Sequence, residues 1–162
     1  MTSLPQEDDW KRLAVALRGL HRALIQNARR DYERDHHQVL TSGRFLQLLM
    51  SDAFFAWLRP LSELMADVDH ICDFDRVARD ELSDAVRAAV ELLIGGQRTT
   101  GPFEAFGRHY RTYLTDDPDV AMAHADVKRA VSSWPEPGGI DEASLLHERH
   151  RLAERAKHRR SK

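Results

Sequence analysis

The stretch FLQLLMSDAFFAWLRPLSELMADV, Phe45 to Val68, decides the fold. Leu46, Leu49, Met50, Phe54, Trp57, Leu58, Leu61, Leu64, Met65 and Val68 recur at steps of three and four, the period of a helix with one buried side. The Arg59-Pro60 step breaks that rhythm. A proline inside a helix removes the hydrogen bond to the Ala56 carbonyl and clashes with the preceding turn. The expectation is an interrupted helix, with Ser51 and Asp52 offering a cap within it.

Outward from this centre the same period returns on both sides. Upstream, Trp10, Leu13, Leu17, Leu20, Leu24, Ala28 and Tyr32 form a stripe near a heptad repeat. It predicts a helix from about Gln6 to Asp35, about 45 Å long at 1.5 Å per residue. A breaker, His36 to Gly43, follows, and Thr41 or Ser42 can cap the next helix. Downstream, Asp73 or Asp75 caps a helix with Val77, Leu82, Ala85, Val86, Ala89, Val90, Leu93 and Ile94 inward. Gly95-Gly96 ends it. Pro102 starts a helix carrying Phe103, Phe106, Tyr110 and Leu114 on one face. Asp117-Pro118 starts another, with Val120, Ala123, Val127, Val131 and Trp134 inward.

The fold expected is all-α: a single-domain antiparallel bundle of about five helices with an interrupted second helix, plus a basic C-terminal helix. Residues 1–134 form the bundle, 135–140 a Pro/Gly linker and 141–162 the basic helix or tail. A compact domain of 162 residues buries roughly 70% of its unfolded surface and needs no staple. Cys72 is the only cysteine, so no internal disulfide forms and nothing calls for an oxidising compartment. The longest apolar run, Ala53 to Leu58, is far short of the roughly 20 residues of a membrane span. Charged residues throughout the first thirty positions exclude the apolar core of a secretory signal. A cytoplasmic protein without membrane contact is the resulting expectation.

The Leu46-to-Met50 leucine cluster, followed by Asp52-Ala-Phe-Phe-Ala-Trp-Leu-Arg-Pro-Leu-Ser-Glu-Leu64, resembles the signature of an uncharacterised family of small bacterial proteins. The resemblance covers roughly the first 134 residues. It implies a bacterial cytoplasmic setting and brings no activity, cofactor or site residue.

Chemistry is weakly signalled. Glu33-x-x-His36 and Asp67-x-x-His70 have the spacing of di-iron bundle ligands, but they end their helices at opposite poles of an antiparallel bundle. The densest ligand cluster is the acidic turn, where Asp67, His70, Asp73 and Asp75 are the metal candidates. Asp73-x-Asp75 opens like a calcium loop, yet the required glycine and closing glutamate are missing, and capping already accounts for such carboxylates. Gly96 to Gly101 has phosphate-loop glycine spacing without the Lys-Ser/Thr that completes it. No Gly-x-Ser-x-Gly occurs, and Cys72 has no activating base beside it. No catalytic residue and no cofactor is assigned.

Charge is uneven: +2 over residues 1–62, −7 over 63–120 and +3 over 121–162. The tail run Arg149, Arg151, Arg155, Lys157, Arg159, Arg160 and Lys162 is interleaved with Glu148 and Glu154 and carries no aromatic to stack on bases. The reading is a non-enzymatic accessory or regulatory protein acting through protein–protein contact, with a protein partner or a second copy. Trp57, Arg59, Leu145, Arg149, Leu152 and Arg155 are its candidate contact residues. The alternatives are a metal-binding bundle around His70 and nucleic-acid association through the tail.

Overall fold

A computed structural model of the chain describes residues 3–95, 103–138 and Glu154. It holds six α-helices there: α1 (Glu7–Asp35), α2 (Ser42–Ser51), α3 (Arg59–Cys72), α4 (Arg76–Gly95), α5 (Glu104–Asp116) and α6 (Pro118–Val131). A 3-10 helix, Ala53–Leu58, joins α2 to α3. Among the described residues there is no strand, and every regular element is helical.

The leucine stripe makes α1 the axis of the fold. Trp10, Leu13, Leu17, Leu20, Leu24 and Ala28 are completely closed to solvent, and Tyr32 nearly so. Burying each such leucine contributes about 1.5–3 kcal/mol relative to leaving it exposed. The helix starts where Asp9 reaches back to accept the Gln6 amide at 2.9 Å. Helices α3 and α6 lie against it and run opposite to it. Arg18 meets Asp69 and His21 meets Ser62, while Trp10 meets Trp134 and Asn27 meets Asp117.

The interruption at Phe45–Val68 is sharper than a kink. Thr41 caps α2 by accepting the Arg44 amide at 3.2 Å, and α2 stops at Ser51. Asp52 then accepts the Phe54 amide at 2.8 Å and opens the 3-10 helix. Pro60 lies in the first turn of α3, where its missing N–H costs nothing. The face expected to be continuous is therefore split. A 3-10 helix turns about 120° per residue against about 100° for an α-helix, so six residues shift the phase by about 120°. Phe55, Trp57, Leu58, Leu61, Leu64 and Val68 are buried, whereas Leu46 and Met50, expected on the same face, are 57% and 81% exposed.

Asp75 caps α4 through the Ala78 amide at 2.9 Å, and Asp117 caps α6 through Asp119 at 2.8 Å. Val77, expected inward, is 62% exposed, because the buried stripe of α4 begins only at Leu82. Tyr113, absent from the expected face of α5, is buried beside Trp57. The segment after α6 still belongs to the core: Trp134 is 1% exposed, and buried Arg87 donates to its carbonyl. The expected basic helix, residues 141–162, and the linker beyond Gly138 lie outside the described residues, Glu154 excepted.

Candidate functional site

Helix α2 leaves two large apolar side chains, Leu46 and Met50, outside the core. In its ten residues only Leu48 is buried; Phe45 and Leu49 are partly covered. The helix packs chiefly on the following 3-10 segment, with Phe45 edge-on to Phe55 at 5.7 Å. Leu46 and Met50 stand one turn apart on its outer side, and residues four apart on a helix are surface neighbours. Arg44 is the only charged residue of α2. Isolated exposed leucines are common, but a paired leucine and methionine on a nearly uncharged helix make a patch that gains by being covered.

A clamp in the preceding turn fixes where this helix stands. Glu33 accepts the Leu40 amide at 2.8 Å, and Arg29 donates to the Leu40 carbonyl. The two side chains also meet each other, Arg29 Nε to Glu33 Oε1 at 3.1 Å. The Leu40 amide first, and Arg29 second, hold the Glu33 carboxyl below its ordinary range. The Arg29 guanidinium carbon lies 5.1 Å from the Phe45 ring centre, tying the clamp to α2 itself. His37, with φ of 51°, makes the left-handed turn that brings the chain round. The pair Glu33 and Arg29 was not singled out from the sequence for this purpose. Its only signal is the i,i+4 spacing, which many solvated pairs share.

The candidate contact residues fare differently. Trp57 is core: 6% exposed, it stacks on His109 with ring centres 4.6 Å apart. A buried indole presents no surface to a partner, so the contact role expected of it is corrected. Arg59 is exposed at the start of α3 and makes no ion pair among the described residues. Leu145, Arg149, Leu152 and Arg155 lie outside the described residues.

The metal candidates Asp67, His70, Asp73 and Asp75 do not converge. Among the described residues no group of three or more His, Cys, Asp or Glu side chains is placed to hold an ion. Asp75 is committed to capping α4, and neighbouring Asp69 pairs with Arg18 at 2.5 Å. The His70 ring lies against Phe74 with its Nε2 buried away from those carboxylates' hydrogen bonds. At the other pole, His36 Nδ1 lies 2.9 Å from the Tyr32 carbonyl while Glu33 serves the clamp, so that carboxylate–histidine pair is spent as well. Burial first, and Asp69 and Asp73 next, push the Cys72 thiol up, away from the reactive thiolate.

No helix among the described residues is long and apolar enough to cross a membrane. Comparison of the chain with protein families, with curated proteins and with solved structures gives no match. The resemblance of the Leu46–Leu64 stretch therefore adds no functional inference.

Proposed function

We propose that this is a non-enzymatic accessory or regulatory protein of a bacterial cytoplasm, and that it works by protein–protein contact through the outer face of α2. The observation that carries the reading is the exposure of Leu46 and Met50 side by side on a helix with one charge. Methionine adapts its shape to different neighbours, which suits a contact surface. The occupant is a partner protein presenting its own apolar face; the wider surface gives the orientation, with exposed Arg59 on the adjoining α3 as a polar contact.

The test is site-specific photo-crosslinking in host cells, with a benzophenone amino acid at position 46, at position 50, or at exposed Gln26 on α1 as control. An adduct of one added protein mass from positions 46 and 50, lost with Leu46→Lys on the 50-labelled chain, supports the proposal. An adduct at twice the chain's own mass assigns the face to a second copy and overturns the heterologous partner. No adduct, or equal labelling from Gln26, removes α2 as the contact.

A further inference from the structure

Helices α5 and α6 form a corner that folds on Asp117. The Asp117 carboxylate accepts from Asn27 at 2.6 Å and from Arg30 at 3.0 Å, which pins the corner to α1. Tyr110 stands two turns back along α5 and His124 two turns forward along α6, each seven residues from Asp117. At 1.5 Å per residue both lie about 10 Å from the corner, so a contact between them ties the two arms together. That contact is one hydrogen bond: the Tyr110 hydroxyl and His124 Nδ1 are 2.5 Å apart.

Burial sets the direction of the bond. Tyr110 is completely closed to solvent, and burial raises its phenol above the ordinary tyrosine range, so the hydroxyl keeps its proton and donates. His124 Nδ1 therefore accepts, and the proton of the neutral ring sits on Nε2. Among the described residues the Tyr110 hydroxyl has no second partner.

Protonation of His124 removes that acceptor. With hydrogens on both nitrogens the ring can only donate, and a hydroxyl that turns to accept leaves its own proton unpaired in a site closed to water. The charged groups around the ring do not favour the cation either. Lys128, one turn on along α6, faces it with like charge. From α4, Arg87 and Glu91 line the same cleft, and Glu91 accepts from Arg87 at 2.8 Å, with Glu136 also beside that guanidinium at 4.0 Å. Burial first, and Lys128 second, hold His124 below its ordinary value of 6.5. The cleft, about 630 Å³ between α4, α5 and α6, gives protons a path to the ring.

We propose that the Tyr110–His124 hydrogen bond is an acid-released latch: proton uptake by His124 frees α5 from α6 beyond the corner and widens the cleft they share with α4. A histidine that takes its proton more readily in the open state stabilises the closed joint fully above about pH 6.5. That contribution is lost as pH falls toward the folded value. The latch is separate from α2 and does not rest on the contact proposed there.

Amide hydrogen exchange of the full chain, expressed as protection factors to remove the intrinsic effect of pH, measures the release. Between about pH 8 and about pH 5, protection of Leu114 and Val127 should fall by about threefold to thirtyfold, the upper figure being the limit for an open state that titrates at 6.5. His124→Asn keeps an acceptor oxygen near the Nδ1 position without a titrating ring, so in that variant the fall should vanish. Two measurements decide the matter even where that variant folds poorly. By nuclear magnetic resonance the wild-type His124 ring should titrate below 6.5, and Tyr110→Phe should move it upward and leave α5 and α6 less protected at pH 8. Flat protection in wild type, the same fall in His124→Asn, or a His124 ring that titrates at or above 6.5 or is unmoved by Tyr110→Phe each overturn the proposal.

Discussion

The Trp10 and Trp134 rings pack with their centres 4.7 Å apart at 55°, joining the first turn of α1 to a residue beyond the last described helix. Both are at most 1% exposed, and neither indole N–H has an acceptor among the described residues. The pair is therefore held by buried area and ring contact rather than by hydrogen bonding. It closes the fold, because it fastens the end of the described chain to its beginning.

Trp134→Ala should accordingly destabilise by about 3–5 kcal/mol, the cost of emptying a large core site. Trp134→Phe should cost clearly less, since it keeps much of the area and removes a buried, unsatisfied donor. Urea unfolding followed by far-ultraviolet circular dichroism measures both. An alanine variant as stable as wild type would show that the indole is not core.

The exposed face of α2 gives a contrasting pair. Met50→Lys, at an 81% exposed position, should change stability by no more than about 0.5 kcal/mol. Leu48→Ala, 5% exposed and two residues away, should cost about 2–5 kcal/mol. Melting curves of the two variants decide whether the burial pattern of α2 is as described. Reversed effects would mean that the helix is rotated and that Leu46 and Met50 are core.

Most of the fold was legible because helical period is a strong signal over long segments. Every residue of the α1 stripe is buried, and Thr41, Asp52, Asp75 and Asp117 cap the helices at the positions their side-chain chemistry suggests. What failed is the assumption of one phase through Phe45–Val68. Period alone cannot show that a 3-10 turn resets the face, and this is why Leu46 and Met50 are expected on the buried side with Trp57, where the structure leaves only Trp57. The clamp on Leu40 and the surroundings of Arg87 were not legible at all. Each depends on residues brought together by the turn or by the tertiary fold, Arg87 and Trp134 being 47 positions apart.

Pro60 and Trp57 separate local from tertiary control of the break. Pro60 occupies the first turn of α3, so Pro60→Ala should shift stability by no more than about 1 kcal/mol and leave the 3-10 segment in place. Trp57 packs on Phe106, His109 and Tyr113, so Trp57→Ala should cost about 3–5 kcal/mol. Thermal melts rank the two. Should Pro60→Ala prove the more damaging, the break would be set by the proline and not by the ring contacts of the segment it follows.

The clamp that seats α2 should be sensitive to acid. The folded-state pKa of Glu33 lies below the ordinary value of 4.5, because its carboxylate accepts the Leu40 amide and pairs with Arg29. A carboxyl depressed by folding contributes stability that is fully present above its unfolded pKa and is lost as pH falls through the folded value. Glu33→Gln keeps an oxygen for the Leu40 amide but gives up the charge facing Arg29. The variant should therefore be less stable than wild type at pH 7, and the gap should narrow steadily below about pH 4.5 as the wild-type carboxyl takes up its proton. Hydrogen exchange should localise the loss: amides of Leu40 and of the first turn of α2 should exchange faster in Glu33→Gln than in wild type at neutral pH, while amides in the middle of α1 stay protected. Parallel stability curves from pH 7 to pH 3 would show that the ion pair does not set the position of α2, leaving the neutral hydrogen bond to Leu40 as the whole of the clamp.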